Sequence, residues 1–250
     1  MFKLTKNKTR FIRENAITSM DYGYMEIVGW KNEQKLKNMW KSISRRLDKK
    51  EAIDLPPLVF EETHFKPSKI YEEIRKNRIY NEVIYDNQMK LRHGLRLNTN
   101  LKDKIEYVKD FIENTTDNII IFYNYDEELE QLKSVMNSKK VYLCNGTSKD
   151  YPKKDEWDSV KNTVTLANYK SGSEAVEFTY ANIIIYFSPT ESYTEFYQSY
   201  GRCYRNGQNN KVTAYKFITD NTIEEDIYQA LDNKQDFNFN LYERNKLKWV

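Results

Sequence analysis

Two arginines three residues apart, Arg202 and Arg205, stand in the string QSYGRCYRNGQ over residues 198–208. Residues three apart on a helix lie on one face, about one turn from each other, so both guanidiniums can be aimed at one anion. Arginine suits that task because its planar fork binds phosphate oxygens bidentately and stays charged. The spacing predicts a helix from Tyr193 to Arg205, ended by Gly207. A bare Arg-x-x-Arg is more often an exposed basic helix end that complements the dipole. The full string adds Gln198, Gly201, Gly207 and Gln208 at set intervals, and points to phosphate chemistry instead.

Phosphate chemistry usually needs a backbone cradle, and none is visible. The chain has seven glycines and none precedes a lysine, so the G-x-x-x-x-G-K-[ST] loop is absent. No G-x-G-x-x-G occurs either. Residues 119–128 look briefly like an apolar strand followed by a magnesium-binding acid. Asn124 and Tyr125 intervene, however, and Asp126 is expected to cap a helix. Tyr193, Tyr197, Tyr200 and Tyr204 read as a packing face rather than a base-stacking platform. The basic run from Lys31 to Lys50 reads as a solvated helix, and His64 and His93 as surface or boundary residues. Nothing marks Cys203 as an activated thiol.

The elements that must position these residues alternate. Asn118–Tyr123, Val141–Cys144, Val164–Ala167, Ile183–Phe187 and Val212–Ile218 are short apolar runs of the kind that form buried parallel strands. Between them, Leu101–Glu113, Asp126–Met136, Tyr193–Arg205 and Thr222–Leu231 have helical spacing. Alternation of this kind predicts an α/β fold with a mainly parallel sheet, with ligands at the carboxyl ends of the strands. The loops after Tyr123, Cys144, Ala167 and Phe187 are therefore the ones of interest. Residues 1–100 are expected to be a mainly helical lead-in, with helices over Glu33–Leu47 and Ile70 to about Met89 and a strand at Leu58–Phe65. Residues 101–250 are expected to be the α/β domain.

Composition narrows the class. The 250 residues are 39% hydrophobic, enough for a core. With 40 basic and 37 acidic side chains the net charge is +3, compatible with nucleic acid but no strong electrostatic footprint. Two cysteines and two histidines argue against a disulfide scaffold or a zinc site, and for a reducing compartment. No apolar run is long enough for a membrane span, and MFKLTKNKTRF lacks an apolar signal core, so a cytoplasmic location is expected.

Gln198, Gly201, Arg202, Arg205, Gly207 and Gln208 together resemble the Q-x-x-G-R-x-x-R-x-G-Q motif of superfamily-two helicases, of the Swi/Snf-type DNA translocases in particular. The flanks agree in order. NIIIFYNY (118–125) resembles motif IV, TLANYKSGSEAVEF (165–178) motif V, and ANIIIYFSP (181–189) the apolar strand after it. Asn221-Thr222-Ile223-Glu224-Glu225 resembles the start of the closing helix. Upstream, Arg45-Arg46 and Leu55-Pro56-Pro57 resemble the entry to the family's second lobe. The likeness covers about residues 40–235 and looks most like the phage-encoded branch, which implies the cytoplasm of a bacterial host.

The resemblance implies a RecA-like sheet flanked by helices, the C-terminal lobe of a two-lobed motor. ATP and magnesium would be held mainly by a first lobe, which this chain does not resemble. Arg202 and Arg205 match the arginine-finger positions, and Gln198 and Gly201 belong to the same nucleotide-facing motif. In motif V, Gly172, Ser173 and Glu174 would form a turn that senses nucleotide and DNA together. Tyr123, Asn124, Thr147 and Lys170 would touch the backbone of double-stranded DNA. The implied partners are the first lobe and DNA, with no membrane. Motif V departs from the family's usual G-x-G-L-N-L, with Ala175 in place of a glycine and Glu177 in place of an asparagine.

The resulting expectation is the second motor lobe of an ATP-dependent DNA helicase or translocase, inactive as a lone chain because it lacks the phosphate loop. The alternatives are a non-catalytic helicase-like module that binds protein or DNA and, more weakly, an RNA helicase lobe.

Overall fold

The computed structural model describes residues 7–21, 24–44, 54–170 and 176–238. The chain divides into two compact units, 1–54 and 55–250. In the first unit, α1 (Lys8–Asn15) leads into an antiparallel hairpin of β1 (Ala16–Asp21) and β2 (Tyr24–Trp30), followed by α2 (Glu33–Ile43). The Asn7 side chain caps α1 by accepting from the N–H groups of Thr9 and Arg10. Phe11 and Trp30 stack at a tilt, 5.8 Å apart. The helix expected over Glu33–Leu47 is α2, which ends earlier, at Ile43, with the extended Ser44 donating its N–H to the Trp40 carbonyl. Arg45, Arg46, Leu47 and the basic run on to Lys50 lie outside the described residues. The polar face of α2 is solvated, as expected, and Lys37 and Glu33 pair across one turn.

The second unit is built on β3 (Leu58–Phe65), α3 (Lys69–Asn77), β4 (Ile79–Tyr80), β5 (Val83–Ile84), α4 (Gln88–Leu97), α5 (Leu101–Glu113), β6 (Ile119–Tyr123), α6 (Asp126–Ser134), β7 (Lys140–Cys144), β8 (Thr163–Asn168), β9 (Ile183–Tyr186), α7 (Tyr193–Cys203), β10 (Val212–Thr219) and α8 (Ile223–Asp232). Six strands form one sheet in the order β3-β10-β9-β6-β8-β7, and every pairing in it is parallel. This is the α/β fold expected from the alternating elements.

Central strands β6 and β9 are buried along their whole length because both faces are covered. Side chains alternate between the two faces. Ile120, Phe122, Ile184 and Tyr186 point to one core, shared with α3, α4, α7 and α8. Ile119, Ile121, Tyr123 and Ile185 point to the other, shared with α5 and α6.

Two expectations about the lead-in change. Strand β3 runs parallel to β10 from Leu58↔Val212 to Phe65↔Thr219, so the sheet takes in a strand from before residue 100. The units part near residue 54, not near residue 100. A parallel partner distant in sequence leaves no local trace, since β3 shows only its own alternation. The helix expected from Ile70 to about Met89 is two helices separated by a small hairpin. Arg78, with φ 56°, ends α3 in the left-handed region, and Asn81 and Glu82, with φ 45° and 66°, form the tight turn between β4 and β5. Gly94 of α4 is required by this hairpin: a Cβ there would lie 2.2 Å from the Tyr85 ring.

Candidate nucleotide- and DNA-facing site

Helix α7 starts with Ser192, whose hydroxyl accepts from the N–H of Glu195. It stops at Cys203, two residues short of Arg205, so the two arginines do not share a helix face as the spacing suggested. The physical cause lies in the last turn. The Arg202 carbonyl accepts from the N–H of Phe178 at 3.0 Å, and the Cys203 carbonyl from Gln208 Nε2 at 3.3 Å. These partners from other segments satisfy carbonyls that would otherwise continue the helix. Arg205 instead opens a tight turn in which the Gln208 N–H donates to its carbonyl at 3.0 Å. Gly207 takes φ +98° in that turn, the left-handed conformation that favours glycine.

The two arginines differ in environment. Arg202 is buried, with 9% exposure. Burial pushes its pKa down, the nearby thiols Cys144 and Cys203 oppose this, and the charge of Arg205 adds to it. Arg205 is 43% exposed, and its Nη1 lies 3.0 Å from Glu177 Oε1. Both thiols are buried and their pKa values are raised, chiefly by that burial, so neither is an activated nucleophile.

Gln198 is exposed on α7. Among the described residues a Cβ on Gly201 would meet nothing within 4 Å. Gln208 is buried and turned inward: Nε2 donates to the carbonyls of Thr179 (3.1 Å) and Ala181 (2.9 Å) as well as Cys203, and its Oε1 accepts from the N–H of Asn210. A polar hollow of about 400 Å³ opens beside Gly207 and Gln208, lined also by Asn118, Thr179 and Asn182. Asn118 and Asn182 directly precede β6 and β9, so the hollow sits at the amino ends of these strands, opposite the loops singled out from the sequence. The tyrosine series packs as expected. Tyr193, Tyr200 and Tyr204 lie against the core, and only Tyr197 is substantially exposed.

At the carboxyl ends of the strands the candidate DNA contacts divide. Tyr123 is buried in the core beneath the sheet end, and burial pushes its phenol pKa up. Asn124 is spent on the neighbouring loop: its Nδ2 donates to Ser188 Oγ (2.8 Å) and to the carbonyls of Ser188 and Pro189. These two residues therefore hold loops together and do not face outward. Thr147 and Lys170 are exposed after β7 and β8, in turns shaped by Asn145 and Asn168 Oδ1. Gly172, Ser173 and Glu174 lie outside the described residues.

Residues missed at the sequence level hold this end together. Glu128, not Asp126, caps α6: its carboxylate accepts from the N–H groups of Asn124 and Tyr125 and from Ser188 Oγ. Burial pushes its pKa up, and these donors oppose that. An acid at the third helical position after a strand end is the signal that could have found it. Arg92 and Arg96 of α4 converge on Glu191, at 2.6 and 3.5 Å, and Arg96 also donates to the Pro189 carbonyl and lies over the Tyr125 ring. Lys104 and Glu224, each 2% exposed, pair at 2.6 Å between α5 and the start of α8. Lys104 also donates to the Phe187 carbonyl, and Glu224 accepts from the Thr219 N–H. No sequence periodicity pairs residues 120 positions apart. His64 and Asp220, at the carboxyl ends of β3 and β10, meet at 2.6 Å.

Among the described residues no His, Cys, Asp and Glu group is arranged to hold a metal, and no helix is long and apolar enough to cross a membrane.

Comparison with known proteins agrees with this architecture. Residues 103–207 match the helicase conserved C-terminal domain. An uncharacterized ATP-dependent helicase of Mycoplasma pneumoniae is 27% identical over 224 residues, covering 78% of this chain and 22% of that protein. The DNA repair protein rhp54 of Schizosaccharomyces pombe is 29% identical over 137 residues, covering 49% of this chain and 15% of that protein. The chain thus spans about a fifth, or less, of the length of these relatives. The crystal structure of the C-terminal part of the Fun30 ATPase domain superposes with a TM-score of 0.56 at 16% identity, over 76% of this chain and 92% of that one. The described sheet and helices within residues 55–238 have the fold of a RecA-like helicase C-terminal lobe.

Proposed function

We propose that this chain is the second motor lobe of an ATP-dependent DNA helicase or translocase of the Swi/Snf type. The observation that carries the reading is Arg205. It stands half-exposed just past α7 of a RecA-like lobe, within a complete Q-x-x-G-R-x-x-R-x-G-Q string, in a chain without a phosphate loop. ATP fits this lobe through its terminal phosphate, because the described residues offer the Arg205 guanidinium and the sequence carries no phosphate loop. ATP supplies the free energy that opens and closes the two lobes. Arg205 would meet the γ-phosphate of an ATP held on the first lobe, and the buried Arg202 would add positive charge close to it. Magnesium belongs with the first lobe, which is supplied by a separate chain or by the rest of a longer protein. Thr147 and Lys170, exposed after β7 and β8, would contact the backbone of double-stranded DNA, contacts that position without reading sequence.

The test is DNA-stimulated ATP hydrolysis, measured with the chain alone and with a first-lobe protein added. Activity only in the mixture, lost in Arg205→Ala, supports the reading. Fingers of this kind contribute roughly 10³–10⁵ in rate in well-studied NTPases. Arginine-dependent turnover by the pure chain overturns it. A second reading, a non-catalytic module, is favoured by one observation: Arg205 is paired with a carboxylate at a position where the family pattern has an asparagine. Such a module would keep its partner binding in Arg205→Ala.

A further inference from the structure

The ion pair between Glu177 and Arg205 joins the segment leading into β9 to the turn after α7. We infer that Glu177 is a resident counter-anion for the phosphate-facing arginine and competes with the phosphate for it. This rests on the reading of Arg205 given above and adds a residue that sets how tightly that site takes an anion.

Three observations lead there. First, the pair is accessible. Glu177 is 35% and Arg205 43% exposed, so a solute can reach both partners. Second, the pair runs from Nη1 to Oε1 at 3.0 Å, at the outer end of the guanidinium. A guanidinium carries five N–H donors, more than one carboxylate can occupy, so donors remain for a further acceptor. Third, Glu177 brings negative charge to a pair of neighbouring guanidiniums. Arg202 is buried close enough for the charge of Arg205 to lower its pKa, and two guanidiniums in proximity repel. A carboxylate on Arg205 relieves that repulsion when no phosphate is present. An asparagine or glutamine at 177 could not, because it carries no charge. An arriving phosphate brings its own negative charge and must take the guanidinium from Glu177, or share it against like-charge repulsion. Glu177 therefore weakens anion binding.

The measurement is a titration of the whole chain with inorganic tripolyphosphate, without magnesium, followed by isotherm and by the NMR signals of the arginine Nε–H groups. Glu177→Gln removes the charge at nearly constant shape. It is expected to bind tripolyphosphate about two- to fivefold more tightly than the wild type, the range for a half-exposed ion pair. The Arg205 Nε–H signal should also shift before any ligand is added. Glu177→Asp, which keeps the charge, should return the affinity toward the wild-type value. The gain should vanish when Glu177→Gln is combined with Arg205→Gln. Thermal melting of each variant checks that the fold is kept. If Glu177→Gln binds as the wild type does, or more weakly, the counter-anion role is overturned, and the reading of Arg205 still stands provided Arg205→Gln alone weakens binding. If Arg205→Gln changes nothing in either background, the phosphate-facing role of Arg205 falls and the Glu177 role with it.

Discussion

Gln208 reaches back to the last turn of α7, its Nε2 lying 3.3 Å from the carbonyl oxygen of Cys203. The same nitrogen serves the carbonyls of Thr179 and Ala181, so one buried amide ties the end of the arginine-bearing helix to the segment that enters β9. The glutamine that closes the motif thus acts on the structure, and the arginines depend on it for their placement. Gln208→Ala is expected to leave buried carbonyls unpaired and to destabilise the chain by about 1–3 kcal/mol. Urea denaturation of the lone chain, with no nucleotide or DNA, measures this. An unchanged midpoint would contradict the structural role.

The Lys104–Glu224 pair gives a second prediction. Removing one partner from a fully buried ion pair leaves a desolvated charge and costs about 3–5 kcal/mol. Lys104→Met and Glu224→Leu should each lose that much in chemical denaturation. The double variant should lose less than the sum of the single losses, since two apolar groups leave no orphaned charge, although the Phe187 carbonyl and Thr219 N–H lose their partners. Additive losses would show that the two residues do not act as a pair.

Gly201 sits in α7, and among the described residues a Cβ there would meet nothing within 4 Å. An alanine in a helix interior is favoured over glycine by roughly 0.5–1 kcal/mol. Gly201→Ala should therefore raise the melting temperature of the lone chain. If the first lobe docks beside Gly201, the same substitution should weaken the ATPase of the mixture. Gain in one assay and loss in the other is the expected signature.

His64 predicts a pH dependence. Its pKa is raised, first by the hydrogen bond with Asp220, against a smaller opposing effect of burial. A raised folded pKa means that the stabilisation is fully present below the unfolded value of about 6.5 and is lost as pH rises through the folded value. The stability difference between wild type and His64→Gln should be largest near pH 5 and fade above neutrality. Both partners are half-exposed, so the effect is small and screened by salt. A difference that grows with pH would reverse the assignment.

The α/β architecture was legible from residue patterns. Ile119–Tyr123 and Ile183–Tyr186 are continuous apolar runs because both faces of a central parallel strand are buried, and that demand is written locally in residue type. The arginine string was equally legible, since its meaning lies in spacing along one segment. The helix end was not. α7 stops at Cys203 because Phe178 and Gln208 bring donors to its last carbonyls, and neither donor is a neighbour in the helix.

The same reason divides everything else. Residue type and spacing determined by themselves the alternating strands and helices, the lack of a phosphate cradle, and the presence of two arginines suited to an anion. Only tertiary structure decided that Arg202 is buried and Arg205 exposed, that Glu177 holds Arg205, that β3 joins the sheet beside β10, and that Tyr123 and Asn124 turn inward while Thr147 and Lys170 face solvent. Each of these depends on groups far apart in the chain, whose pairing is set by packing and desolvation rather than by any local pattern.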